Sequence, residues 1–197
     1  MRLYWSAQTR AVRAAWLLEE AGVPYERVTI NIRDPASTAN PAFRAASPMG
    51  KVPALEDGAV KLWDSGAICA YVADQYPQSG LAPPIGSPER GIYLQWLMFN
   101  NSVIEPAMAE KFGGVPVNPS RNGWGSWDQM LTVFHNGLEH GQWILGARFS
   151  AADILLGSSC HFLRLFKMLS DDPILFSYAD RCAARPAFQR AIAFEAT

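Results

Sequence analysis

The sequence has almost no excess of charge and no long apolar run. Its 197 residues include 17 basic and 18 acidic side chains, which leave a net charge of −1. Nucleic-acid binding normally requires a basic excess, so this balance argues against a polyanionic partner. Glycine, proline or polar residues interrupt every uncharged stretch before it reaches the roughly 18 apolar residues that span a bilayer. We therefore expect no nucleic-acid partner and no membrane partner.

Cysteine and histidine are also scarce. Cys69, Cys160 and Cys182 are odd in number and widely separated, which excludes a CxxC pair, a zinc quartet and a disulfide framework. His135 and His140 do not have the spacing of zinc-binding helices, so no metal site is expected. The amino terminus lacks the apolar core and the cleavage site of a signal peptide. We expect a cytoplasmic protein with reduced, mostly buried thiols.

The sequence does contain enough apolar residues for a core, 49% of the chain, and a clear alternation of strand and helix patterns. Arg2–Trp5 alternates like a short strand, and a polar turn and an amphipathic helix that ends at Gly22 follow it. Tyr25–Ile30 has the composition of a second strand. These segments predict a β-α-β unit, with a short helix after it.

A hairpin and a further helix complete the first part of the chain. Asp57-Gly58 lies between two apolar segments and supplies the positive φ angles of a two-residue turn. Ser65 then begins a helix, as its N-cap, and Pro77 ends that helix. Residues 1–77 therefore have the predicted order β-α-β-α-β-β-α.

The composition changes after Pro77. The next residues are rich in serine, glycine and proline and have few apolar anchors, which is typical of a short, stiff linker. Beyond the linker, apolar residues recur with helical spacing. The predicted helical segments are 92–103, 127–145, 151–168 and 173–194. The predicted domains are an α/β domain over residues 1–77, a linker over 78–88 and an all-helical domain over 89–197.

A helix start is encoded in the segment Phe149–Ile154. Ser150 can accept a hydrogen bond at the N-cap, and Asp153 can reach back to the amide of the cap residue. Phe149 can pack on Ile154 as a hydrophobic staple. By chemistry alone, this capping box indicates a structural role.

Four segments of the sequence form an ordered pattern along the chain. They are Ser6-Ala7-Gln8-Thr9-Arg10, Ser47–Leu55, Asp64-Ser65-Gly66-Ala67-Ile68 and Phe149–Ile154. Together they resemble the cytosolic glutathione S-transferases, of the bacterial type with a serine- or threonine-type N-terminal motif. The resemblance covers essentially the whole chain. It implies an α/β thioredoxin-like N-terminal domain followed by an all-α helical domain.

The resemblance also implies a site for glutathione as co-substrate. It assigns activation of the thiol to Ser6 or Thr9, and leaves open which of the two hydroxyls faces the sulfur. For Tyr4, which lies inside the predicted strand, no such role is expected. The residues that would bind glutathione are Arg10, Lys51, Val52, Pro53, Asp64 and Ser65.

Each glutathione contact has a proposed chemistry and a plainer alternative. A cis bond before Pro53 would turn the main chain of Val52 toward the cysteinyl backbone. Ser65 and the helix-start amides would hold the γ-glutamyl carboxylate, and Asp64 would take the γ-glutamyl amine. Lys51 would reach the glycyl carboxylate. Without the resemblance, these residues are interpreted as an edge strand, a helix cap and a solvated lysine.

The electrophile would bind against the helical domain. The residues that could line an apolar pocket are Trp5, Met98, Asn101, Met108, Phe112 and Trp124. For about half of them, packing inside a helix bundle is the better interpretation, because apolar stripes at helical spacing usually pack in cores.

The function implied is transfer of the glutathione thiolate to a small hydrophobic electrophile by a homodimeric enzyme. No cysteine lies near the Ser6–Arg10 turn, which argues against the family members that work through a mixed disulfide. One alternative is a noncatalytic transferase-like module that binds ligands or proteins. Another is a glutathione-dependent isomerase, dehalogenase or peroxidase.

Overall fold

The computed structural model describes residues 1–114, 118–169 and 171–194. The strands are β1 (Arg2–Trp5), β2 (Glu26–Thr29), β3 (Ala54–Asp57) and β4 (Val60–Trp63). The helices of the first part are α1 (Ala11–Ala21), α2 (Pro35–Thr38), α3 (Pro41–Ala46) and α4 (Ser65–Gln75), and a 3-10 turn spans Pro77–Ser79. Then follow α5 (Pro88–Phe99), a π-helical turn (Asn100–Ile104), α6 (Glu105–Gly113), α7 (Trp127–Leu138), α8 (Ala151–Leu165), α9 (Pro173–Ala183) and α10 (Pro186–Ala193).

The four strands form one mixed sheet in the order β2-β1-β3-β4. β1 is parallel to β2 and antiparallel to β3, and β3 is antiparallel to β4. The parallel pair needs a crossover, which α1 supplies. The observed order is β-α-β-α-α-β-β-α, with two short helices where one was predicted, and a helical region follows it; the predicted fold class is confirmed.

The hairpin between β3 and β4 turns one residue later than predicted. Asp57 is still paired with Val60, so the two turn residues are Gly58 and Ala59. Gly58 has a φ of 58° and supplies the left-handed position that a residue with a side chain adopts only at a cost.

The chain divides into two compact units. Among the described residues, 1–81 and 183–194 form the first unit, and those between 82 and 182 form the second. This division differs from the predicted one, because α10 belongs with the sheet rather than with the helical region. The predicted linker over 78–88 stays a prediction.

Contacts with α1 explain why α10 joins the first unit. The Phe188 ring packs edge-on against Trp16, with 4.9 Å between ring centroids. The Arg185 guanidinium holds both carboxylate oxygens of Glu20, and Arg190 donates to Glu19. Paired Arg–carboxylate bonds of this kind are the stronger class of charged hydrogen bond.

The predicted helical segments 127–145 and 173–194 differ from the helices of the structure. The helix predicted over 127–145 ends at Leu138. After it the backbone turns back on itself, and Gly141 lies so close to Gly146 that a Cβ atom on Gly141 would overlap the Gly146 backbone. The segment 173–194 is two helices, since Pro186 cannot continue the hydrogen-bond ladder of α9.

Within the described ranges, no helix combines the length and the apolar character needed to cross a membrane.

Candidate functional site

Three predicted site segments meet at one edge of the sheet. Tyr4 on β1 is paired with Ala54 on β3, and Ala54 is paired with Trp63 on β4. Continuing this register places Ser6 opposite Val52, and Asp64 opposite Pro53. The turn after β1, the segment before β3 and the start of α4 therefore lie side by side.

The turn after β1 distinguishes its two candidate hydroxyls. Thr9 Oγ1 donates to the carbonyl of Ser6 at 2.7 Å and accepts from the amide of Ala11 at 3.1 Å. The half-buried Ser6 hydroxyl makes no hydrogen bond to any described residue. Thr9 is thus occupied in shaping the turn, whereas Ser6 Oγ has its full hydrogen-bonding capacity left.

Two further residues shape the same turn. Gln8 has a φ of 56°, in the left-handed region that non-glycine residues rarely adopt. Arg10, a predicted glutathione contact, is the half-buried N-cap residue of α1, and its side chain makes no capping hydrogen bond.

The segment before β3 presents an unpaired main chain. The Val52–Pro53 peptide bond is cis. Buried Ser47 holds the backbone of Lys51, the residue before Val52. Its Oγ donates to the Lys51 carbonyl at 2.7 Å and accepts from the Lys51 amide at 3.0 Å. No described residue bonds to the N–H or the C=O of Val52. The Lys51 side chain is exposed and forms no ion pair within the described ranges.

The start of α4 corrects the predicted N-cap residue. Asp64, not Ser65, is the N-cap residue, and its Oδ1 accepts from the amides of Gly66 at 2.8 Å and Ala67 at 3.1 Å. The Ile68 amide is bonded to the Asp64 carbonyl. These amides are therefore not available to an anion, and the N–H and O–H of Ser65 remain as donors.

Asp64 also has an unusual backbone, with φ 78° and ψ 123°. A non-glycine residue in such a sparsely populated region costs on the order of 1 to 3 kcal/mol and needs the surrounding structure to hold it. Gln8 and Asp64 are two of the three non-glycine residues with positive φ among those described, and both border this edge of the sheet.

A buried arginine lies behind the start of α4. Arg13, on α1, is 1% exposed, and its Nη1 donates to Ser65 Oγ at 3.4 Å. Arg13 lies outside the residues predicted to bind glutathione. The signal was present, because Arg13 is the one charged residue in the run Ala11–Leu18, whose members are all buried.

The three cysteines offer no nucleophile. All are buried, and burial raises the pKa of the Cys69 thiol to about 12. Burial likewise raises the pKa values of Cys160 and Cys182. Because the thiolate is the reactive form, these side chains are inert at neutral pH.

The six predicted pocket residues are divided between the two compact units. Trp5 belongs to the first compact unit, where its ring packs edge-on against Phe194, and the other five belong to the second unit. Within that unit Met108 is 1% exposed and is a core residue, whereas Met98 and Phe112 are about half exposed.

Asn101 and Trp124 have polar partners in the second unit. Asn101 Oδ1 accepts from Asn100 at 2.9 Å in the π-helical turn. The Trp124 indole donates to Glu110 at 2.9 Å and lines a cavity of about 520 Å³ with Phe99 and Val133. Of the six predicted residues, only Trp124 lines this cavity.

The start of α8 is a closed polar cluster. Asp153 is 0% exposed, and its Oδ2 accepts from the amide and the hydroxyl of Ser150 at 2.9 and 3.1 Å. Its Oδ1 accepts from the Ile144 amide at 2.9 Å and from the Tyr178 hydroxyl at 3.0 Å. Burial raises the pKa of Asp153 to about 6, although these donors favour the ionised form.

His135 pairs with carboxylates. Its Nδ1 lies 2.6 Å from Asp172 Oδ2, and its Nε2 lies 3.7 Å from Glu139. The hydrogen bond to Asp172 raises the pKa of His135. Burial alone would raise the pKa of Asp172, but the Leu175 amide and His135 outweigh burial and lower it. The residues described contain no group of three or more potential ligands arranged for a metal.

Known proteins resemble this chain in sequence and in structure. Residues 2–74 match the family model for the N-terminal domain of glutathione S-transferases. The chain is 30% identical to a maleylacetoacetate isomerase of Pseudomonas aeruginosa, over 97% of this chain and 95% of that protein. It is 25% identical to the glutathione S-transferase GstA of Escherichia coli O157:H7, over 99% and 98%.

A solved structure of a sphingomonad glutathione S-transferase complexed with glutathione is also similar. It has a TM-score of 0.82 and 30% identity, and the match covers 100% of this chain and 99% of that one. The chain belongs to the glutathione S-transferase family.

Proposed function

We propose that the chain is a glutathione transferase that conjugates the glutathione thiolate to small hydrophobic electrophiles. One observation carries the proposal. At a single edge of the sheet, the hydroxyl of Ser6, the main chain of Val52 and the hydroxyl of Ser65 all retain hydrogen-bonding capacity that the described residues do not use. Edges of this kind are built to take a ligand, because buried polar groups in proteins are otherwise paired.

Each group matches one part of glutathione. The N–H and C=O of Val52 pair with the cysteinyl main chain in the manner of an added strand. The N–H and O–H of Ser65 donate to the γ-glutamyl carboxylate. Lys51, exposed beside Val52, reaches the glycyl carboxylate as a flexible point charge. Asp64 takes the γ-glutamyl amine, and Arg10 adds positive charge near the turn.

Ser6 is the group that we assign to the thiol. Its hydroxyl donates to the sulfur and stabilises the thiolate, which is the nucleophilic form. Thr9 supports it by holding the turn, since the Thr9 hydroxyl is engaged with Ser6 O and the Ala11 amide. The sulfur then attacks an electrophilic carbon, a new C–S bond forms, and the leaving group departs with the bonding pair.

The direct test combines binding and turnover. We expect glutathione to bind in calorimetry and the chain to conjugate glutathione to an aryl halide. Ser6→Ala should lower kcat by roughly 100-fold, as loss of one donor to a developing anion does, with glutathione affinity retained. Ser79→Ala is the matched control, because Ser79 Oγ caps its own turn through the Tyr76 carbonyl. Equal rates in Ser6→Ala and the unsubstituted chain would move the assignment from Ser6.

A second candidate is a glutathione-dependent cis–trans isomerase of a maleyl-type acid. The name of the Pseudomonas aeruginosa relative favours it. In that reaction the thiolate adds to the double bond, the single bond rotates, and elimination returns glutathione. Isomerisation without consumption of glutathione separates the two activities. Binding without turnover of either substrate would favour a noncatalytic module.

Homodimerisation and a cytoplasmic location stay predictions. Sedimentation of the purified chain tests the first, and cell fractionation tests the second.

A further inference from the structure

The N-terminus of α4 is a poor anion site by itself. Its Gly66 and Ala67 amides are occupied by the Asp64 carboxylate, and that negative charge offsets the positive end of the helix dipole. A γ-glutamyl carboxylate at Ser65 would therefore meet few donors and an unfavourable charge nearby. A further positive group is needed for this edge to hold an anion.

Arg13 is a positive group that lies next to this position. Its guanidinium reaches Ser65 Oγ from the buried side, at 3.4 Å, and the residue is 1% exposed. Its charge also acts on the fully buried thiol of Cys69, on the next turn of α4, and opposes the rise that burial causes in the pKa of that thiol. Because the surroundings are desolvated, charge interactions there are stronger than at the surface.

The direction of the Arg13–Ser65 hydrogen bond fixes what Ser65 can do. A guanidinium has only donors, so Ser65 Oγ must use a lone pair toward Arg13. The Ser65 hydroxyl proton is left over, and no described residue accepts it. Ser65 is 6% exposed, so this proton belongs to a largely buried group that has no acceptor within the described chain.

We propose that Arg13 is a positioning residue for the γ-glutamyl carboxylate of glutathione. It holds Ser65 so that the hydroxyl proton points toward the ligand, and it offsets the charge of Asp64 from behind. This inference rests on the proposed function, since it concerns the same site. Arg13 itself does not touch the ligand.

The alternative is that Arg13 only ties α1 to α4. A purely structural tie would affect every ligand of the site alike. A positioning role affects only ligands that have a γ-glutamyl group. Glutathione and the dipeptide cysteinylglycine, which lacks that group, therefore separate the two roles.

The experiment measures the affinities of both ligands by calorimetry for folded variants. We expect Arg13→Gln to weaken glutathione binding about tenfold, the loss of one charge-assisted contact, and to leave cysteinylglycine within about twofold. Arg13→Lys keeps the charge and should lose about threefold or less. In a Ser65→Ala background, Arg13→Gln should have a much smaller effect, because the two residues act on one contact.

Arg185→Gln is the control for general damage to α1. It removes a guanidinium that holds Glu20 at the other end of the same helix, so both affinities should be unchanged. Equal losses for both ligands in Arg13→Gln, or no loss of glutathione affinity in Arg13→Gln, would overturn the inference alone. If Arg13→Gln does not fold, glutathione affinity in Arg13→Lys equal to that in Ser65→Ala would overturn it too. No glutathione binding by the unsubstituted chain would overturn the proposed function and the inference together.

Discussion

Two helix N-termini of this protein use the same residue types in different ways. At the start of α8, Ser150 and Asp153 are both 0% exposed and bond to one another, and Asp153 also accepts from Ile144 and Tyr178. At the start of α4, Asp64 caps the helix, while the Ser65 hydroxyl keeps a proton that no described residue accepts. The α8 cluster is therefore closed, meaning that its members satisfy one another's hydrogen bonds, and the α4 cluster is open, meaning that one donor remains for a ligand.

This difference in hydrogen bonding distinguishes a cluster that stabilises the fold from a cluster that can bind a ligand. A closed cluster satisfies its own donors and acceptors, so its energy goes into holding the helix start. An open cluster leaves a largely buried donor unpaired and includes a strained residue, Asp64, which are features of functional sites. Saturation of hydrogen bonds, rather than the presence of serine and aspartate, distinguishes the two.

Asp153→Ala should have the largest effect, and on stability alone. It leaves the donors at Ile144, Ser150 and Tyr178 without their acceptor in a buried place. Each unsatisfied buried donor costs about 1 to 3 kcal/mol, so we expect a loss of at least about 3 kcal/mol in urea denaturation. Glutathione affinity of the fraction that stays folded should be unchanged. A small loss of stability would mean that the α8 cluster is not the closed structural element described above.

Ser65→Ala should lower glutathione affinity and not stability, whereas Ser150→Ala should lower stability and not affinity. Ser65→Ala is expected to weaken glutathione binding about tenfold, with a stability change within roughly 0.5 kcal/mol. Ser150→Ala should lower the free energy of unfolding by about 1 kcal/mol and leave affinity unchanged. Calorimetry measures the glutathione affinity of each variant, and urea denaturation measures its free energy of unfolding. If both substitutions lowered stability by similar amounts and neither changed affinity, the distinction between open and closed clusters would fail.

At a third helix N-terminus, that of α9, substitution of His135 should change stability by the smallest amount. Asp172 accepts from the Ile174 and Leu175 amides and pairs with His135, so this cluster is closed by a group that titrates. The folded-state pKa of His135 is raised above 6.5 and that of Asp172 is lowered below 3.8. The His135–Asp172 ion pair therefore stabilises the fold between about pH 3.8 and pH 6.5, and this stabilisation is lost as the pH rises through the raised pKa of His135.

The measurement is thermal unfolding of His135→Gln between pH 5 and pH 9. The variant should be less stable than the unsubstituted chain at pH 6, by roughly 1 kcal/mol or less, and equal to it at pH 9. Exposed His140 provides the control, and His140→Gln should show no such difference. A constant difference across the range would assign the effect to packing instead of charge.

The parts of the molecule that sequence could predict are local. The alternation of Arg2–Trp5, the turn signal at Gly58 and the spacing of Ser150 and Asp153 each act over a few residues, and the structure has a strand, a turn and a cap at those places. The glutathione S-transferase pattern added the order of these elements and the expected site segments.

Long-range contacts explain what sequence reasoning missed. The return of α10 depends on Arg185 and Glu20, which are 165 residues apart, and no local pattern marks such a pair. Arg13 and Ser65 are 52 residues apart. The sequence left open whether Met108 lines a pocket or packs in a core, because a methionine stripe does not tell which face is buried; in the structure Met108 is 1% exposed.

A crystal structure of the chain with glutathione would show whether the open cluster at α4 is the binding site. We expect the γ-glutamyl carboxylate within hydrogen-bond distance of the Ser65 hydroxyl, the cysteinyl main chain paired with Val52, and the sulfur facing Ser6. Glutathione bound away from this edge of the sheet, or bound there with its sulfur on the Thr9 hydroxyl and no contact to Ser65, would contradict the account.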